Sequence, residues 1–91
     1  MSHAFYSDAA EKILRTDLSA SERTAVMSIR ASLEEDPTPD HARGLPDADP
    51  RSESYAIDLL PEQTGGRGIT IVYRFTADLD AALILWLIAG P

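Results

Sequence analysis

The sequence predicts an α+β domain in which a short N-terminal strand and two helices pack on one face of an antiparallel sheet of three further strands. Three observations predict it. Two early stretches repeat apolar residues at helical spacing behind good capping residues, and the second half of the chain changes to a period of two. The last segment, Ala81 to Ala89, is apolar throughout.

Ser7 followed by Asp8 is a helix start, and Ala10, Ile13 and Leu14 recur as one buried helical face requires. This helix closes near Thr16 or Asp17. Ser19 and Glu22 have the spacing of a capping box, in which hydroxyl and carboxylate each satisfy a backbone donor at the helix start. The second helix should bury Val26, Ile29 and Leu33 and turn Arg23, Arg30 and Glu34 to water. Arg30 and Glu34 are four residues apart and can pair. The helix should stop before Pro37, because a proline disfavours helical backbone in the residue ahead of it.

Residues 36–54 carry Pro37, Pro39, Pro46 and Pro50, Gly44 and five acids, with no sustained apolar period. A long acidic loop is expected there, inside a single domain spanning residues 1–91. Loops of this length are functional or mobile. Its distinctive side chains are His41 and Arg43. Beyond it Tyr55, Ile57 and Leu59 alternate with Ala56, Asp58 and Leu60, and Ile69, Ile71, Tyr73 and Phe75 alternate with Thr70, Val72, Arg74 and Thr76. Pro61 to Gly68 reads as a flexible hairpin connection and Asp78 to Asp80 as a tight turn.

The last strand raises a geometric problem. Strict alternation puts Leu83, Leu85 and Leu87 on one side and Ile84, Trp86 and Ile88 on the other. Two helices cover only one face of a sheet, so one of these sets lies in a second layer or forms an exposed apolar strip that marks an interface. Ile84, Trp86 and Ile88 are the expected partner-binding set, with Trp86 as anchor and Asp58, Thr70 and Arg74 on the mixed remainder of that face.

Composition narrows the function. At 91 residues there is room for one core, and without cysteine neither disulfides nor a thiolate metal site can staple it. Fifteen acidic residues against eight basic ones give a formal charge of −7, which disfavours nucleic acid and favours a basic partner. The N-terminus has neither a basic leader nor an apolar run, and the longest apolar stretch is nine residues where a membrane helix needs about 20. A cytoplasmic protein without a membrane span is expected. No cofactor or metal is expected either. Gly65-Gly66-Arg67-Gly68 lacks the Lys-Ser or Lys-Thr and the helix of a phosphate loop, and His3 and His41 lack ligand spacing. Glu34, Glu35, Asp36 and Asp40 lack the alternation and glycine of a calcium loop.

Phe5-Tyr6-Ser7-Asp8-Ala9-Ala10 leads into the first helix, and Leu33-Glu34-Glu35-Asp36-Pro37 closes the second. Ser54-Tyr55-Ala56-Ile57-Asp58-Leu59, Ile71-Val72-Tyr73-Arg74-Phe75 and the apolar last strand follow. With that element order, nearly the whole chain resembles the RelE/ParE superfamily of bacterial toxins. The resemblance implies an antitoxin-like partner. Ribonuclease members of the family cut messenger RNA on the ribosome with basic side chains on the open sheet face and near the C-terminus. Here Ala56 and Asp58 stand where the family strand has two lysines, Thr70 stands for an arginine, and the often basic tail reads Ala89-Gly90-Pro91. Losing several phosphate-stabilising donors should cost orders of magnitude in rate.

Three readings therefore stand. The first is a toxin-family protein working through protein contacts, bound by an antitoxin or another partner over the open sheet face. The second is a divergent ribosome-dependent endoribonuclease with Arg74 on the open face and Arg67 and Arg51 reaching it from loops. The third is an accessory homodimer joined through Ile84, Trp86 and Ile88. Arg74 also has a structural reading, as the partner of Asp58 across the sheet.

Overall fold

Serines open both long helices, and each hydroxyl takes up a backbone N–H that the first turn leaves without a partner. Ser7 caps α1 (Asp8–Thr16) by accepting from Ala10, and Ser19 caps α2 (Ala20–Glu35) by accepting from Glu22. The capping box at Ser19 is complete, since the Glu22 carboxylate also accepts from the Ser19 N–H at 2.8 Å. The structure, a computed structural model, describes residues 2–46 and 51–90.

These helices cover one face of a five-stranded sheet ordered β1-β5-β4-β3-β2. The strands are β1 (His3–Tyr6), β2 (Arg43–Leu45), β3 (Ser52–Leu59), β4 (Ile69–Thr76) and β5 (Ala81–Ala89). β1 runs parallel to β5, and the other neighbours are antiparallel. Leu14, Val26 and Leu33 of the helices meet Ile57, Leu59, Ile69, Ile71, Tyr73, Ile84 and Leu87 of the sheet in one core. Tyr73 is fully buried there, stacks on Tyr55 at 5.5 Å between centroids, and donates to the Pro37 carbonyl at 2.7 Å. That bond fixes where the chain leaves α2.

Four expectations about the elements and their faces need correction. The segment expected as an unbroken loop contains β2, whose Arg43, Gly44 and Leu45 pair with Ala56, Tyr55 and Ser54. A three-residue edge strand shows no period to read, and only its partner reveals it. Residues 47–50 of that loop lie outside the described residues. The connection expected to be a flexible hairpin holds a helical turn, α3 (Pro61–Thr64), which starts on a proline and ends at Gly65 in left-handed backbone, φ +72°.

Arg23, Arg30 and Glu34 are half-buried rather than turned to water. Arg23 donates to the Leu14 and Leu18 carbonyls, tying α2 to the end of α1, and Arg30 reaches both Ala4 of β1 and Glu34. Long basic side chains lie along apolar surface and deliver their charge to main-chain carbonyls, at the end of α1 for Arg23 and in β1 for Arg30. The fourth correction concerns the direction of side chains along β5, and it decides the site.

Candidate functional site

Alternation along β5 breaks once. Tyr73 of β4 pairs with Ile84 and the next residue back, Val72, pairs with Trp86, so Leu85 is an extra residue in β5. Before this bulge Ala82 and Ile84 face the core, and after it Leu87 does. Leu83, Trp86 and Ile88 therefore share the open face. Ile84, expected beside Trp86 in the partner-binding set, is fully buried instead. A one-residue insertion flips every side chain beyond it, and a stretch apolar on both sides shows no sign of the flip.

The resulting strip is apolar and exposed. Trp86 is 53% exposed, Ile88 57%, Leu83 40%, and Phe5 of β1, directly across from Leu83, 55%. His3, two residues from Phe5 and on the same face, stacks on its ring at 6.1 Å. Val72 joins the strip to β4 as the partner of Trp86. Sequence reasoning missed Phe5 and Leu83. Phe5 needed the knowledge that β1 lies beside β5, and Leu83 was assigned to the wrong side of an unbroken strand.

Beyond the strip the open face turns polar. Thr70 lies next to Ile88 and next to Asp58 on the far side, and its hydroxyl donates to Asp58 at 2.8 Å. The Arg43 guanidinium donates to both Asp58 oxygens, at 2.9 and 3.3 Å. These two donors, Arg43 first, hold the Asp58 carboxyl below its usual range, and Asp58 holds Arg43 protonated in turn. Asp58 and Thr70 thus share the open face as expected. The expected cross-sheet pair of Arg74 with Asp58 is not made: Arg74 lies opposite Ser54, and Asp58 opposite Thr70. Four residues of strand separate the two rows, about 13 Å.

The three arginines of the nuclease reading do not converge. Arg74 is exposed in the middle of the open face, between Ser54 and Leu83. Arg51 precedes β3 and, with Ser52, Glu53, Phe75 and Ala77, lines a shallow hollow of about 150 Å³. Arg67 belongs to the helix side. Its side chain donates to Glu22 at 3.1 Å and to the Asp17 carbonyl at 2.7 Å, and its N–H gives Glu22 a further bond at 2.8 Å. Arg67, then Ser19, hold the Glu22 carboxyl far below its ordinary value. Gly66 beside it serves this contact: a Cβ there would lie 2.7 Å from the Glu22 carboxylate.

No family model and no curated protein matches this sequence. Solved structures do match the fold. A chain of the archaeal RelE–RelB complex from Pyrococcus horikoshii OT3 superposes with a TM-score of 0.76 at 16% identity, over 97% of this chain and 93% of that one. A chain of the intact E. coli RelBE toxin–antitoxin complex superposes with a TM-score of 0.74 at 15% identity, over 100% of this chain and 99% of that one. With superposition over nearly the whole of both chains, this chain has the RelE-like fold.

Proposed function

We propose that the chain is a toxin-family protein of the RelE type that acts in the cytoplasm through protein contacts, its open sheet face covered by a small antitoxin-like partner. The observation that carries this is the strip of Phe5, Leu83, Trp86 and Ile88, whose large apolar side chains stand 40 to 57% exposed on one face. Such a patch is what the core of an interface uses, and a tryptophan at its middle is the usual anchor. Both structural neighbours were solved in protein complexes, an archaeal RelE–RelB complex and the E. coli RelBE toxin–antitoxin complex, which supports a protein as the occupant. The polar half of the face argues against phosphate chemistry. Asp58 adds a negative charge there, Arg43 is engaged in neutralising it, and Arg67 is held on the other side of the sheet.

The test is co-expression with the protein encoded by the adjacent reading frame, followed by purification on a tag carried by one of them. The two should co-purify, and Trp86→Ala should break the complex while the chain stays folded. Expression of the chain alone is the opposing arm. Growth arrest with transcript cleavage, both relieved by Arg74→Ala, would overturn the binding reading in favour of the endoribonuclease.

A further inference from the structure

We infer that Ser7 is the positioning residue of the open face: its hydroxyl holds the bulge in β5 that turns Trp86 and Ile88 outward. The functional meaning of this inference rests on the docking role proposed above, but the inference itself is about register and is testable without a partner.

The geometry is specific. In a regular strand successive carbonyls point to opposite edges. In β5 two successive carbonyls are taken by one residue: the Ser7 N–H donates to the Ile84 carbonyl at 2.8 Å, and the Ser7 hydroxyl donates to the Leu85 carbonyl at 2.8 Å. Both oxygens therefore turn toward the start of α1, and this is where β5 gains its extra residue against β4. The same hydroxyl oxygen accepts from the Ala10 N–H at 3.1 Å, so the bulge is fastened to the first turn of α1. β1 ends at Tyr6, so Ser7 is the residue that follows it along this edge of β5.

Hydrophobic pattern cannot do this work. Register is set by burial where one face of a strand is apolar and the other polar. Leu85, Trp86, Leu87 and Ile88 are apolar without interruption, so sliding them by one residue exchanges Trp86 and Ile88 for Leu85 and Leu87 without placing any polar side chain in the core. The choice falls to the hydrogen bonds that the bulged register makes and the slipped one loses. The bond from the Ser7 hydroxyl to the Leu85 carbonyl is one of them, whereas the Ser7 N–H continues the β1–β5 ladder in either register.

Trp86 is the single tryptophan of the chain, so its fluorescence reports the register directly. Ser7→Ala removes both hydroxyl bonds. Ser7→Asp keeps a good helix cap but cannot donate to a carbonyl, which separates capping from register. Both variants should shift the Trp86 emission to the blue and lose quenching by acrylamide, as the ring turns from the open face toward the core. Ser7→Thr, which keeps a hydroxyl, should retain the parent spectrum. Ser19→Ala is the control for stability: it removes the equivalent cap from α2, touches no strand, and should leave Trp86 unchanged. Parent-like emission and quenching in both Ser7→Ala and Ser7→Asp would overturn the inference. The measurement uses the chain alone, so its failure is distinct from failure of the adjacent-frame protein to bind.

Discussion

The two faces of the sheet are built by opposite rules. On the covered face polar groups are drawn into the packing: the largely buried Glu22 binds the start of α2 and Arg67 together, and Tyr73 fastens the exit of α2. On the open face the pair of Arg43 with Asp58 is exposed on both sides, at 57% and 49%, and the large apolar side chains meet nothing in the described chain that buries them. The difference teaches that stability and recognition are segregated here. Substitutions on one face should read out in melting, and those on the other in binding.

The sharpest way to break that division is to cut the core. Leu33→Ala should cost roughly 2 to 5 kcal/mol, measured by urea unfolding, because Leu33 is fully buried between α2 and the sheet and its removal leaves a cavity. Glu22→Gln should follow in effect and change the acid limb of the stability curve. The folded-state carboxyl of Glu22 titrates below its ordinary value near 4.5, so its contribution is fully present above that pH and is lost as pH falls toward the folded value. Melting against pH should therefore show parent and Glu22→Gln far apart at neutrality and converging in acid. Convergence at high pH instead would mean that the pair does not stabilise the fold.

The open face should behave in the reverse sense. Trp86→Ala should leave unfolding within about 0.5 kcal/mol of the parent, the ordinary range for exposed positions. It should weaken binding of the adjacent-frame protein by about 2 kcal/mol or more, near 30-fold, as read by titration calorimetry. Arg43→Ala should have the smallest effect of the set. Its pair with Asp58 lies in water and salt screens it, so the melting temperature should barely move, and any shift should vanish at high ionic strength.

What the sequence made legible follows the same division. The helix starts at Ser7 and Ser19, the stop before Pro37 and the alternation through β3 and β4 are local signals, and they appear in the structure where the spacing puts them. The element order and the family resemblance were legible for the same reason. What escaped was non-local. β2 exists only as a partner of β3, and Arg67 finds Glu22 across 45 residues. The bulge at Leu85 depends on a serine 78 residues away, so the sequence alone predicts an open strip that includes Ile84, which the structure buries, and omits Phe5 and Leu83. Trp86 and Ile88 were placed together correctly because both lie on the same side of the break.

The contact between Glu22 and the glycine turn reaches beyond this molecule. A single carboxylate serves as cap for one helix, counter-ion for Arg67 and wall against Gly66, so a change at one of these positions disturbs the other two. Among descendants that keep this corner of the fold, residues 22, 66 and 67 should be inherited as a unit. A lineage that replaces the acid should relax the glycine and the arginine with it. In an alignment, that covarying triplet would identify true kin where overall identity is too low to do so.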